Sequence, residues 1–278
     1  MSNEIIPGRN AVSEALLAER KLLHIIVQRD SETARSEILK EARRRHIQVR
    51  FADRAALDSL VGKGNHQGIV AVAETRPPLD IQDLFSEAAR RKEQPFFVAL
   101  DGVEDPQNLG AVMRSAEAAG VHGIILPERR SAGIGPAVHR SSAGAVEYVK
   151  FAHVPSLSQA LRGMRDKKVW VIGAEMSAPK SVFDEDLRGP VCLVVGGEDS
   201  GISPAVAERC DRLVRIPMAG HIQSLSVSAT AAVLFFEKRR QETVQKPGKD
   251  GGSRQLGDDG RRDGERPISP ISRLPSPS

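Results

Sequence analysis

Along most of the chain, short apolar runs alternate with stretches whose apolar positions recur every three or four residues. From Pro95 the alternation is regular. FFVALDGV (96–103), GIILP (123–127), YVKFAHV (148–154), VWVIGAE (169–175), VCLVVGGE (191–198) and LVRIPM (213–218) are mostly apolar runs bounded by polar turns. That is the pattern of strands buried on both faces. Helical spacing occupies 109–119, 156–167, a short piece near Pro204, and 226–241. Strands spaced by helices predict an α/β domain built on a parallel sheet, with ligands bound beyond the carboxyl ends of the strands.

The front of the chain carries the same two periods in smaller units. A helix is read over 11–19, a strand over 22–28 (LLHIIVQ), a helix with a basic end over 32–45, and strands over 47–51 and 68–73 (GIVAVA). Arg76-Pro77-Pro78 interrupts this unit, and a helix at 81–91 leads into the next block. After Gln245 the texture changes: six Gly, five Pro and five Ser fill about half of the last 33 residues, with four aliphatic side chains and no aromatic ring. Such a segment has too little apolar surface to offset its ordering entropy, so disorder is expected. The division that follows is a small α/β domain at 1–76, a linker at 77–94, a parallel-sheet domain at 95–245 and a tail at 246–278. No internal repeat is found.

Composition narrows the function classes. Aromatic residues are 4% of the 278, with one Trp and one Tyr, which weighs against RNA binding on a platform of exposed rings. The net charge of +4 is unevenly spread: residues 1–77 carry a net +3, residues 95–245 are neutral, and the last 33 carry +2. Mildly basic ends permit polyanion binding without requiring it. Cys192 and Cys210 stand in no metal-binding or redox spacing, and no cluster has metal-site spacing, so a reduced, cytoplasmic, metal-free protein is expected. The N-terminus shows no basic and apolar leader, and no apolar run reaches 18 residues, so neither secretion nor a membrane partner is expected.

Three polar loops follow strands and resist a packing explanation. The first, from Asp101 to Arg114, holds Pro106, Asn108 at the expected helix N-cap, and Arg114 six residues on. The second is Gly196-Gly197-Glu198-Asp199-Ser200-Gly201, whose glycines allow close approach of backbone to a ligand. It matches neither a dinucleotide fingerprint nor a Walker loop. The third runs from Ile216 through Met218, Gly220, His221 and Ser224 to Ser228, ending in a hydroxyl-rich helix start. Taken singly, Asn108 reads as a cap, the glycine loop as a turn, and His221 as an exposed loop residue.

Taken in order, the three resemble the motifs of the SpoU (TrmH) family of RNA ribose 2′-O-methyltransferases: Asn-Leu-Gly-x-x-x-Arg, Gly-Gly-Glu-x-x-Gly, and Ile-Pro-Met-x-Gly-x-x-x-Ser-Leu-x-Val-Ser, over about 95–240. The front, through Ile6-Pro-Gly-Arg-Asn-Ala-Val and Asn65-His-Gln-Gly-Ile69, looks like the substrate-binding domain of the ribosomal-RNA branch. The resemblance implies a C-terminal trefoil knot, which patterning alone could not reveal. It implies S-adenosylmethionine as cofactor, held around Gly196, Gly197, Ile216 and Leu225, and a homodimer with active sites near its interface. It further implies the P-loop guanosine of 23S rRNA as target. In the front domain, Asn65-His66-Gln67-Gly68 reads either as a turn into a strand or, beside the basic Arg43, Arg44 and Arg45, as an RNA contact made by Arg43, Arg44, His66 and Gln67.

Asn108, Arg114, Glu198 and Ser224 become the catalytic candidates. The arginine's pKa, above ~12, makes it a costly base, so Arg114 is read as phosphate anchor and oxyanion stabiliser, positioned with the ribose by Asn108 and Glu198. His139, with Arg140, Ser141 and Ser142, is a further candidate for the same cleft. One departure stands out: the family usually has Asn where this chain has Ser226, and serine offers a shorter, single-headed group. Three alternatives stay open at this point: a tRNA ribose target, a non-catalytic RNA-binding or assembly factor on the same fold, and a nucleotide-dependent oxidoreductase. The last is disfavoured by the missing GxGxxG.

Overall fold

The computed structural model describes residues 3–29, 31, 36–62, 65–198, 200–221 and 224–244. The tail expected to be disordered lies outside the described residues, as do Asp199, Ile222 and Gln223 of the second and third loops. No helix among the described residues is long and apolar enough to cross a membrane.

The first 74 residues form β1 (Asn3–Pro7), α1 (Arg9–Leu17), β2 (Leu22–Gln28), α2 (Glu37–Arg44), β3 (Gln48–Ala52), α3 (Arg54–Val61) and β4 (Ile69–Glu74). Their sheet has the order β1-β4-β2-β3 and is mixed: β4 runs antiparallel to both neighbours, while β2 and β3 are parallel. β4 is central and carries five buried residues in succession, as its unbroken IVAVA run dictates. Helices α1 and α2 close one face around Ile25, Val27 and Leu39, and α3 closes the other with Leu57 and Val61. β1 and α3 were not anticipated, although Asp53 caps α3 through the Ala56 N–H and the helix buries Leu57 and Val61 four residues apart.

The second sheet follows α4 (Ile81–Arg91). Its elements are β5 (Phe96–Asp101), α5 (Pro106–Ala118), β6 (Gly123–Pro127), α6 (Pro136–Ser141), β7 (Phe151–Val154), α7 (Leu157–Asp166), β8 (Trp170–Ala174), β9 (Lys180–Ser181), β10 (Val191–Gly196), α8 (Pro204–Ala207), β11 (Arg212–Arg215) and α9 (Val227–Thr243). All seven strands are parallel, in the order β7-β6-β5-β10-β8-β11-β9. Both faces are covered, as the non-alternating strands predict. Leu100, Leu193 and Val195 point into a core shared with α5 and α9, whereas Phe97, Ala99 and Val194 meet α4, α7 and α8. Each large side chain buried there contributes about 1.5–3 kcal/mol. The stretch expected as a linker supplies α4, whose Leu84 is fully buried against Gly123 and whose Phe85 ring meets Phe97 edge-on at 4.9 Å. The carboxyl ends of β5, β10, β8 and β11 lie side by side, and the chain returns to that edge with the loop before α9.

Where the first sheet meets α6, charges are buried together. His139, with no side-chain exposure, donates from Nε2 to Glu4 Oε1 at 2.7 Å and lies 3.4 Å by Nδ1 from Glu147. Arg20 pairs with Glu4, and Arg76 stands 3.6 Å from Glu147 while donating to the Val146 carbonyl at 2.9 Å. His139 is thus a structural anchor rather than a lining of the candidate cleft, and Ser141 of the same helix is turned onto the Pro106 carbonyl at 3.0 Å.

Burial pushes the Glu4 carboxyl up, but the hydrogen bond from His139 and the charges of His139, Arg20 and Arg76 outweigh it and hold it below 4.5. A carboxyl lowered in the folded state adds stability that is complete above its unfolded value and is lost as pH falls through the lowered one. Amide protection in β1 and α6, followed by hydrogen exchange, is therefore expected to hold above about 4.5 and to fall as pH drops below it through the lowered Glu4 value. Glu4→Gln should remove that acid-dependent step. Protection that stays level across the window would contradict the assignment.

Candidate functional site

The N-terminus of α5 is built differently from expectation. Asp105, not Asn108, is the cap: its carboxylate accepts from the Gln107 and Asn108 N–H groups at 3.2 and 3.0 Å, with Pro106 at the first helical position. Asn108 is thereby released from capping. Its Nδ2 donates instead to Glu198 Oε1 at 2.9 Å, joining two loops 90 residues apart.

Glu198 is delivered by the end of β10, and Gly196 and Gly197 make that turn possible. A Cβ on Gly196 would lie under 3.0 Å from the Gly201 carbonyl group and the Ile202 nitrogen, and one on Gly197 would crowd the Gly102 oxygen equally. The glycines are therefore demanded by backbone packed on backbone rather than by room for a ligand. The Gly197 N–H donates to the Asp101 carbonyl at 2.8 Å, and the Gly201 N–H returns to the Gly197 carbonyl at 3.1 Å. The Asp101 carboxylate accepts from Ser203 N–H at 2.7 Å, so β5 braces the far end of the same loop.

The third loop completes a cleft of about 370 Å³ at the carboxyl ends of β8, β10 and β11. Gly196, Gly197, Ile216 and Leu225, expected to hold cofactor, all line it, together with Glu198 and Ser224 of the catalytic candidates. Its volume falls within the ~300–1,000 Å³ of small-molecule sites. Val195, Ile216, Leu225 and Val227 give apolar walls against polar backbone at the glycine turn. Arg215 reaches the rim, but its guanidinium is held by the carbonyls of Ala178, at 2.6 Å, and Pro179. The residues present thus suit a nucleoside with a flat base and a polar edge.

Arg114 is not brought to this cleft within one chain. Six residues beyond Asn108 on one helix, it lies about 240° round the axis and about 9 Å along it. It is exposed, and among the described residues it makes no hydrogen bond or ion pair. His221 is likewise exposed and outside the cleft lining.

Ser226 caps α9, accepting from the Ala229 N–H at 3.3 Å, and its hydroxyl lies 3.2 Å from that of Ser228. Asparagine caps about as well as serine. Ser226→Asn is therefore expected to leave the thermal midpoint unchanged within the ~0.5 kcal/mol typical of surface changes. A clear loss in a thermal melt would show that the Ser226–Ser228 pair does more than close the helix.

A second, polar cleft of about 700 Å³ lies on the first sheet. There the two front motifs converge: Arg9 and Asn10 from one, and Asn65, His66 and Gln67 from the other, with Arg54 alongside. Gln67 Oε1 accepts from the Arg9 N–H at 3.0 Å, so one motif ties down the other. His66 is buried, with both nitrogens engaged: Nδ1 accepts from Gly68 N–H at 3.0 Å and Nε2 donates to Asp58 at 3.1 Å. It pins the turn and has no nitrogen left for RNA. Arg43 and Arg44 lie on α2, away from the cleft, and Arg44 is paired with Glu41. Among the described residues the cations lining the cleft are Arg9 and Arg54, which sequence reasoning passed over although Arg9 stands inside the quoted Ile-Pro-Gly-Arg-Asn motif.

Comparison with known proteins agrees with this layout. A family model described as the SpoU rRNA methylase family matches residues 95–236, and one for RNA 2′-O ribose methyltransferase substrate binding matches 5–79. The chain is 40% identical over 247 residues to the 23S rRNA (guanosine-2′-O-)-methyltransferase RlmB of Xylella fastidiosa, covering 87% of this chain and 98% of the relative. It is 35% identical over 246 residues to RlmB of Photobacterium profundum, covering 88% and 100%. Among solved structures, the SpoU methyltransferase AviRb from Streptomyces viridochromogenes in complex with AdoMet superposes with a TM-score of 0.74 at 25% identity. That match covers 88% of this chain and 92% of AviRb.

Proposed function

The chain belongs to the SpoU rRNA methylase family, and from that premise we propose that it methylates the 2′-hydroxyl of a guanosine ribose in 23S rRNA, at the P loop, with S-adenosylmethionine as donor. The observation that carries this is the Asn108–Glu198 hydrogen bond at the lip of a nucleoside-sized cleft lined by Gly196, Gly197, Ile216, Ser224 and Leu225. Bound there, S-adenosylmethionine supplies a methyl group already activated by its sulfonium, so the protein's task is alignment and the handling of one proton. Asn108 holds the Glu198 carboxylate in place, and that carboxylate with the Ser224 hydroxyl orients the RNA ribose. Arg114 anchors an adjoining phosphate and stabilises charge developing on the ribose oxygen.

Because Arg114 faces away from Glu198 in its own chain, the site is completed by a second protomer in a homodimer. Mixed dimers of Arg114→Ala and Glu198→Ala chains test this, since one intact site should return where neither variant alone is active. The position of β11 between β8 and β9, both earlier in the chain, supports a threaded, knotted path through the third loop.

Residues 1–76 act as the RNA-binding domain and 95–245 as the methyl-transfer domain. Arg9 and Arg54 of the polar cleft supply phosphate contacts, joined by Gln67, with Arg43 and Arg44 as a more distant basic edge. Curated relatives that act on 23S rRNA align over nearly their whole length, front domain included, which supports a ribosomal target over tRNA. A cytoplasmic location follows from such a substrate. The deciding experiment incubates the protein with methyl-labelled cofactor and, separately, naked 23S rRNA, intact large subunits and tRNA. Label on one guanosine ribose of 23S rRNA is expected. Label confined to tRNA, or none from protein that binds the cofactor, would overturn the reading.

A further inference from the structure

Among the described residues two carboxylates line the cleft, and they are differently placed. Glu198 is engaged by Asn108. Glu175, directly after β8, has its backbone fixed on both sides: its N–H donates to the Val214 carbonyl at 2.9 Å and its carbonyl accepts from Ala178 at 3.1 Å. Its side chain, only partly exposed, makes no hydrogen bond or ion pair among the described residues. The carboxylate leans across the cleft toward the glycine loop, since a Cβ on Gly201 would lie 3.6 Å from Oε2. A fixed backbone carrying an acceptor-only group, unpaired and turned inward, is a site waiting for hydroxyl or N–H donors.

Resting on the cofactor reading above, we propose that Glu175 holds the ribose of the bound cofactor, its carboxylate accepting hydrogen bonds from the two ribose hydroxyls. Strand order decides which part of the cofactor lies there. The Asn108–Glu198 pair stands over the β5–β10 boundary, where the reacting sulfur must come, and Glu175 stands over the β8–β11 side. Those two boundaries are about 10 Å apart at ~4.8 Å per strand. The far end is therefore the nucleoside, and its flat base faces Ile216 and Leu225. A carboxylate at the end of a parallel strand receiving a ribose diol is a recurrent way of recognising nucleotides on open α/β sheets.

Glu175→Gln tests this by calorimetry, using S-adenosylhomocysteine, 5′-methylthioadenosine and the 2′,3′-dideoxy form of the latter, which lacks both hydroxyls. The unpaired carboxylate contributes nothing to the fold, so the variant should melt with the parent. It is expected to bind both S-adenosylhomocysteine and 5′-methylthioadenosine about tenfold more weakly, as loss of a charged acceptor implies. The dideoxy analogue should bind parent and variant within about twofold of each other. Equal affinity of parent and variant for all three would overturn the assignment. So would a loss seen only with S-adenosylhomocysteine, which would place the contact on its amino-acid group. Failure of the parent to bind S-adenosylhomocysteine at all is a separate result that overturns the cofactor reading itself.

Discussion

Arg114→Lys is expected to slow single-turnover methylation by about 10²–10³-fold while leaving cofactor affinity and thermal stability at parental levels. The three outcomes have one structural origin. Arg114 lies outside the cleft lining, so the cofactor does not meet it. It bonds nothing among the described residues, so the fold does not depend on it. Lysine keeps the charge but loses the planar fork that can grip a phosphate and a ribose oxygen together. Calorimetry with S-adenosylhomocysteine, a thermal melt and a single-turnover assay separate the three quantities. Near-parental methylation by the variant would show that a point charge suffices and that Arg114 has no bidentate role.

How far the chain could be read in advance depended on whether the deciding interaction was local. The strands of the second sheet were legible because burial on both faces leaves unbroken runs such as VCLVV, and α4 was placed to the residue by its apolar spacing. The four residues expected around the cofactor share one cleft because each lies at the carboxyl end of a strand or in the loop that leaves it. The cap of α5 does carry a local signal: Asp105-Pro106 marks the N-cap and first helical position, and with Asp105 as cap Asn108 is free for its contact with Glu198. Other features were out of reach. The fate of His66 depends on Asp58, eight residues earlier and on α3, a helix that had not been anticipated. The burial of His139 depends on Glu4, 135 residues away. Strand order, which puts β10 between β5 and β8, leaves no periodic trace in the amino-acid pattern.

Non-locality of this kind gives Gly196→Ala an expected effect as large as that of Arg114→Lys, through a different route. The new methyl group would lie under 3.0 Å from backbone atoms of Gly201 and Ile202, which cannot swing aside as a flexible side chain can. Those atoms belong to a loop closed by the Gly201–Gly197 hydrogen bond and braced by Asp101 on Ser203, so relief requires the whole turn to move. Movement carries Glu198 away from Asn108 and opens the wall of the cleft. Overpacking of this sort costs about 1–3 kcal/mol of stability, and a displaced binding wall should weaken S-adenosylhomocysteine by at least about tenfold. Gly133→Ala supplies the control: nothing lies within 4 Å of a Cβ there, and the same change of composition should leave both melt and affinity near the parent. Equal behaviour of the two variants would mean that the turn after β10 is softer than its hydrogen bonds imply. Loss of cofactor binding at position 196 alone would establish that the cleft is shaped by backbone meeting backbone, with side chains added to a form the two glycines already set.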